Sequence, residues 1–251
     1  MPHAPKASGS VRVTELPTFR EAIVKHSLTN AISEKILSLI ASGILQAGDA
    51  LPSERELADA LNVSRAAVRG GLQNLAARGI LDISQGARTR VRRCDIGSVT
   101  IGIATARAID VYDIESVHAA RILVERQVVS DAARNMDARR IALLDALLDA
   151  QKNTLDDPVR FLICDREFHA AIYRASTNRL LADFCTDLYT YMMEYRRKAM
   201  SRPGAIAVSY VDHVTIVETL RSRDADAAAE AFAVHTGRIY TTTQTLLRGE
   251  R

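Results

Sequence analysis

The chain has 251 residues, 47% of them hydrophobic and 25% charged, with a net charge of +3 and no Trp. That length suffices for two domains, and an Ala- and Leu-rich, aromatic-poor mix favours helix over sheet. No apolar run approaches the ~20 residues of a membrane span and the first residues lack a secretory h-region, so a cytoplasmic protein with no membrane contact is expected.

Residues 1–25 carry Pro, Ser and Lys without a sustained period and are expected to form a flexible arm. From Leu28, Ile32, Ile36, Leu39 and Ile40 fall on one helical face, and Gly43 ends that helix. Ser53 opens a second, short helix, with Glu56 completing a capping box, and Asn62 closes it. Ser64 caps a third helix whose apolar face is Val68, Leu72 and Leu75, and Gly79 stops it. Ile80–Ile83, Gly86 and Thr89–Val91 read as a β-hairpin, so residues 26–93 make a winged helix-turn-helix. A linker is expected over 94–110. Residues 111–251 then follow a helical period, predicting an antiparallel all-α bundle with helices near 111–134, 137–153, 157–175, 178–201, 205–222 and 225–248. The predicted fold class is therefore mainly α.

Charge is unevenly placed. Residues 1–94 hold 13 Lys and Arg against 8 Asp and Glu, and the remainder holds 20 against 22. A basic head suits double-stranded DNA as partner. In a winged helix-turn-helix the second helix enters the major groove by its N-terminal end, so Ser64, Arg65 and Arg69 would face DNA. Arg55 lies near the start of the preceding helix, and the wing offers Gln85 and Arg88. Arginines on short helices also make an ordinary solvated face, and the pattern of the whole segment is what favours DNA. Cys94, Cys164 and Cys185 show no metal-site spacing and read as reduced thiols.

The string LPSERELADALNVSRAAVRGGL, residues 51–72, followed by Leu75, Gly86, Thr89 and Val91, resembles the head of the GntR family of regulators. The resemblance implies operator contacts by Arg55, Arg65 and Arg69, with Gln85 at the wing tip. Gly70 and Gly71 stand where the family has Glu-Ala, each costing roughly 1 kcal/mol of helix propensity. Arg88 replaces a second wing glycine.

In the C-terminal part, polar residues interrupt apolar stripes. Asp165 and His169 lie among Phe161, Leu162 and Ile172, His213 among Tyr210, Ile216 and Leu220, and His235 among Ala228, Phe232 and Ile239. A single buried His is ordinarily hydrogen-bonded, and an Asp-His pair four apart can be a local bond. Four such residues in three stripes favour a divalent metal, which would relieve the cost of burying them unpaired. DREFHAAIYRASTN (165–178) and DHVTIVETLRSRDADAAAEAFAVH (212–235) resemble the FCD domain of the FadR branch of GntR regulators. That implies Asp165, His169, His213 and His235 as ligands of zinc, nickel or manganese, and a homodimer. The acyl-CoA-binding member of the branch lacks this set, so acyl-CoA is not the expected effector.

Arg121 sits mid-stripe among Ile114, Val117, Val124 and Val128. It is either half of an internal salt bridge, for example with an acid of a neighbouring helix, or the anchor of an effector carboxylate. The family's R-x-x-x-E (Arg121, Glu125) favours the second reading, although Ala119 replaces a usual acid. Asn178 is either a pocket residue or a helix cap. Expected is a repressor, not an enzyme, controlled by a small carboxylate effector bound beside the metal. A regulator for which the metal is itself the signal is the nearer alternative, and a metal-dependent hydrolase the remote one.

Overall fold

The computed structural model describes residues 28–84, 88–92, 112–191 and 193–249. The expected arm (1–25), the linker (94–110) and the wing-tip residue Gln85 lie outside them. The head comprises α1 (Leu28–Ala41), α2 (Glu54–Leu61) and α3 (Arg65–Ala77), followed by β1 (Leu81–Asp82) and β2 (Arg90–Val91). Ser53 Oγ accepts the Glu56 amide while Glu56 accepts the Ser53 amide, closing the capping box that starts α2. Asn62, left-handed at φ 51°, ends α2, and Ser64 Oγ accepts the Ala67 amide to start α3. Gly79, at φ +71°, turns the chain into β1, a conformation costly for residues with a Cβ.

β1 and β2 are antiparallel, Leu81 opposite Val91 and Asp82 opposite Arg90. On its other side β2 is held by the loop between α1 and α2. Gly48 N donates to Val91 O, Val91 N to Asp49 O and Leu51 N to Thr89 O, each within 2.9 Å.

The rest is helical: α4 (Ile114–Arg134), α5 (Ala138–Lys152), α6 (Pro158–Arg174), α7 (Arg179–Tyr191), α8 (Met193–Met200), α9 (Ala205–Arg221) and α10 (Ala225–Gly249). The helix expected over 178–201 corresponds to α7 and α8, between which residue 192 lies outside the described residues. Asp113, Asp137 and Asp157 cap α4, α5 and α6, and Pro158 occupies the first turn of α6, where its missing N–H costs nothing. In this bundle α4 lies along α10, α10 along α9, and α5 against α6 and α9. Among the described residues no helix is long and apolar enough to cross a membrane.

Two main apolar clusters result. One fills the bundle around Val128, Phe168, Ile172, Ile216 and Phe232. The other begins as the head's own core of Ile32, Ile36, Leu45, Val68 and Leu72. It continues without a break into Phe161, Tyr189, Met193, Met200 and Ile206 of the bundle. Polar ties reinforce this junction: Arg197 on α8 donates to Ile44 O (2.8 Å) and pairs with Asp49 (2.7 Å), and Arg160 pairs with Glu56 (2.9 Å).

The Gly70-Gly71 departure has a packing reason. α3 runs through both residues unbroken, and α1 crosses there so closely that Ser33 Oγ donates to Gly71 O (3.0 Å). A Cβ on Gly71 would stand 2.8 Å from Ile32 Cγ2 and 3.1 Å from Thr29 O. The propensity lost by glycine is exchanged for helix contact. Gly71→Ala should therefore destabilise the protein, by roughly 1–3 kcal/mol for an overpacked core, despite the gain in helix propensity. A urea midpoint that stays or rises would show that α1 can retreat.

Candidate metal centre and nucleic-acid interface

Arg55, Ser64, Arg65, Arg69 and Arg88 are all exposed, the first four on α2, α3 and the turn between them. Ser64 is also the cap of α3, so its side chain already holds the helix end that would meet DNA. Arg69 forks onto Glu54, Nε and Nη2 each 3.1 Å from Oε2. So exposed a pair contributes about 0–1 kcal/mol, leaving the guanidinium available to a phosphate or a guanine edge.

In the bundle, α6 places Asp165 and His169 one turn apart on its buried face, α9 brings His213, and α10 brings His235. One ligand atom from each lies within 4.8 Å of the others. Asp165 Oδ1 is 3.3 Å from His213 Nε2 and 3.6 Å from His169 Nε2, and the Nε2 atoms of His213 and His235 are 3.3 Å apart. Ligands about 2.1 Å from a tetrahedral ion stand about 3.4 Å from one another, so these spacings fit. Asp165 Oδ1 and His169 Nε2 are buried without a hydrogen-bond partner among the described residues. Orphaned buried acceptors aimed at one point suit a cation.

The surroundings set the protonation. His213 Nδ1 lies 2.7 Å from Gln151 Oε1 and His169 Nδ1 3.4 Å from the Tyr173 hydroxyl, while Asp212 stands 3.5 Å from His235 Nδ1. Each ring thus faces an outer oxygen with Nδ1 and turns Nε2 inward, the orientation that metal-ligating imidazoles need. Burial, above all, lowers the pKa of all three, with further lowering of His213 by His235 and of His235 by His169, so they are neutral. Burial, the largest single influence, would raise the pKa of Asp165, but Arg196, His169 and His213 together outweigh it and hold the carboxyl well below its ordinary value.

Arg121 is buried, and its Nε and Nη2 both donate to Glu125 Oε1 (3.1 and 2.8 Å). The ion-pair partner is thus an acid of its own helix rather than of a neighbour. Glu125 also accepts the hydroxyls of Tyr173 (2.7 Å) and Thr236 (3.1 Å), so its charge is fully engaged. Asn178 is exposed and its Oδ1 accepts the Leu181 amide, the capping role weighed for it above. A surface cavity of about 350 Å³ is lined by Met136, Ile141, Asp145, Arg221 and Arg223, none of them in the cluster.

Three residues near the cluster escape a reading of the sequence: Gln151, Tyr189 and Arg196. Tyr189 and Arg196 both donate to Asp165 Oδ2. Arg196 is hidden in the basic run Arg196-Arg197-Lys198, which reads as a solvated face. Its position three after Met193 and four before Met200, on the buried side of α8, was the available signal.

The family profile of gntR bacterial regulatory proteins matches residues 28–91, and that of the FCD domain matches residues 116–238. The chain is 30% identical to the HTH-type transcriptional repressor NanR of Citrobacter rodentium, over 85% of this chain and 84% of that protein. The Salmonella typhimurium NanR is 29% identical, over 86% and 84%. Among solved structures, E. coli McbR/YncC superposes with a TM-score of 0.54 at 19% identity, covering 88% of this chain and 99% of that one, a likeness of fold.

Elemental analysis should find about one divalent ion per chain, lost in the His169→Ala/His213→Ala double variant. Retention of the ion by that variant would place it elsewhere. Below pH ~6.5 the unfolded chain protonates these imidazoles while the folded, metal-free protein keeps them neutral. Stability is therefore full above that pH and lost as pH falls through it. Chelator-treated protein should melt lower at pH ~5.5 than at pH ~7.5, and equal melting temperatures would mean the rings are protonated in the fold.

Proposed function

Since the chain belongs to the GntR family of DNA-binding transcriptional regulators and carries an FCD domain, we propose a cytoplasmic homodimeric repressor governed by a small organic acid. The acid binds beside a divalent metal, zinc foremost, with nickel or manganese as alternatives, and changes the hold of the two heads on a pseudo-palindromic operator. Relatives of the chain are regulators and not enzymes.

The observation that carries the metal half is the convergence of Asp165 Oδ1 with three neutral Nε2 atoms. When bound, the ion would supply positive charge to an anionic ligand, which would add to the four protein donors. Asp165, His169, His213 and His235 hold it, and Gln151 and Tyr173 fix two of the rings. For the acid, a divalent ion against one carboxylate leaves a buried surplus of positive charge that an anion meets and a neutral sugar does not. Arg121, expected as the carboxylate anchor, is neutralised by Glu125, and its part in this proposal is to position His169 through Glu125 and Tyr173. Leu123 and Leu180, 75% and 78% exposed on the packed helices α4 and α7, support contact with a second copy.

A second reading, in which the metal is the signal, draws on the tie from Asp165 to Arg196, whose chain neighbour Arg197 grips the head. Operator affinity measured with and without chelator, and with candidate acids, separates the two. A change on chelation alone favours the metal as signal, whereas a change only with acid favours the ligand sensor.

On the DNA side, Arg65→Ala should cost roughly 1–3 kcal/mol of operator binding, as should Arg69→Ala, both with unchanged folding. Undiminished affinity in gel-shift titrations on DNA selected by the wild type would remove these residues from the interface.

A further inference from the structure

Arg196 is the bulkiest of the fully buried side chains, 1% exposed. Nη1 donates to Asp165 Oδ2 at 2.8 Å, and the guanidinium lies over the Tyr189 ring, its carbon 4.3 Å from the ring centre. The two remaining nitrogens, Nε and Nη2, are buried with no hydrogen-bond partner among the described residues. These two share one edge of the plane, where their N–H bonds run parallel, the fork that matches the two oxygens of a carboxylate. An arginine held by stacking and by Asp165, with that edge unpaired, is costly unless something acidic completes it.

Charge points the same way. With neutral imidazoles, Asp165 and Arg196 cancel, and a divalent ion then leaves an excess of two positive charges. Glu125 does not offset it, because Arg121 already engages Glu125.

We propose that Arg196, through Nε and Nη2, is the residue that binds the effector's carboxylate beside the metal, in place of Arg121. The assignment rests on the reading of the bundle as a metal-and-acid site. It makes the ligand a compound with at least one carboxylate and places the acid where α6, α7 and α8 meet.

The test loads the full chain with cobalt(II) and follows its visible absorption and the melting temperature on titration with acetate and with acetamide, a neutral mimic of the same shape. The wild type should bind acetate and discriminate against acetamide. Arg196→Met should keep its cobalt and weaken acetate binding about 10- to 100-fold, with discrimination lost. Arg196→Lys, which keeps the charge without the fork, should fall between, and it carries the test if the Met variant does not fold. Arg126→Met, an exposed arginine of α4 paired with Glu230, should leave acetate affinity within about twofold of the wild type. Equal acetate affinity in wild type and both Arg196 variants, no acetate binding to the wild type, or acetamide binding as tightly as acetate overturns the proposal. Failure of cobalt to bind overturns the metal reading instead, and an Arg196-dependent acetate shift of the melting temperature would still stand.

Discussion

A carboxylate has two oxygens, and the bundle depends on Asp165 using them in opposite directions. Oδ2 is fixed by the Arg196 guanidinium and the Tyr189 hydroxyl, while Oδ1 is left facing two imidazoles. Four helices are committed by this one side chain: α6 carries it together with His169, α7 and α8 hold it, and α9 brings the second ring. Breaking a buried pair by removing one partner costs about 3–5 kcal/mol, because it strands the other charge. The acid is therefore a constraint on the fold before it is a ligand.

The same logic orders the next layer. Gln151 from α5 and Tyr173 from α6 decide which nitrogen of His213 and His169 is turned inward, and Glu125 decides what Tyr173 can do. A single chain of hydrogen bonds links Arg121 on α4 to the ring of His169, so a residue remote from the cluster still sets the aim of one of its rings.

Much of this was legible in the sequence, because a polar residue inside an apolar stripe is conspicuous at helical spacing. Asp165, His169, His213 and His235 stand out that way, whereas the caps Ser53 and Ser64 follow from capping patterns and Arg55, Arg65 and Arg69 from the string of the head. Arg196 does not stand out, since flanking Arg197 and Lys198 imitate a solvated surface and only burial distinguishes it. Arg121 stood out, yet periodicity cannot say whether a buried cation meets a ligand or an acid four residues along its own helix. The two glycines of α3 read as weak points because propensity is local, whereas the approach of α1 is a tertiary fact.

The junction between head and bundle bears on how a signal can travel. Because one apolar cluster runs from Ile32 to Met200 across the junction, with polar ties beside it, the head is not a module swinging on a string. Freeing it would expose a strip of core, so the motions available are small slides of packed side chains with the contacts kept. Arg197 stands at the pivot, gripping the loop whose Asp49 carries the wing strand. A slide there would reach β2 through the backbone bonds that Gly48 and Asp49 make with Val91. The head would thus be set from the bundle by displacements smaller than a side chain.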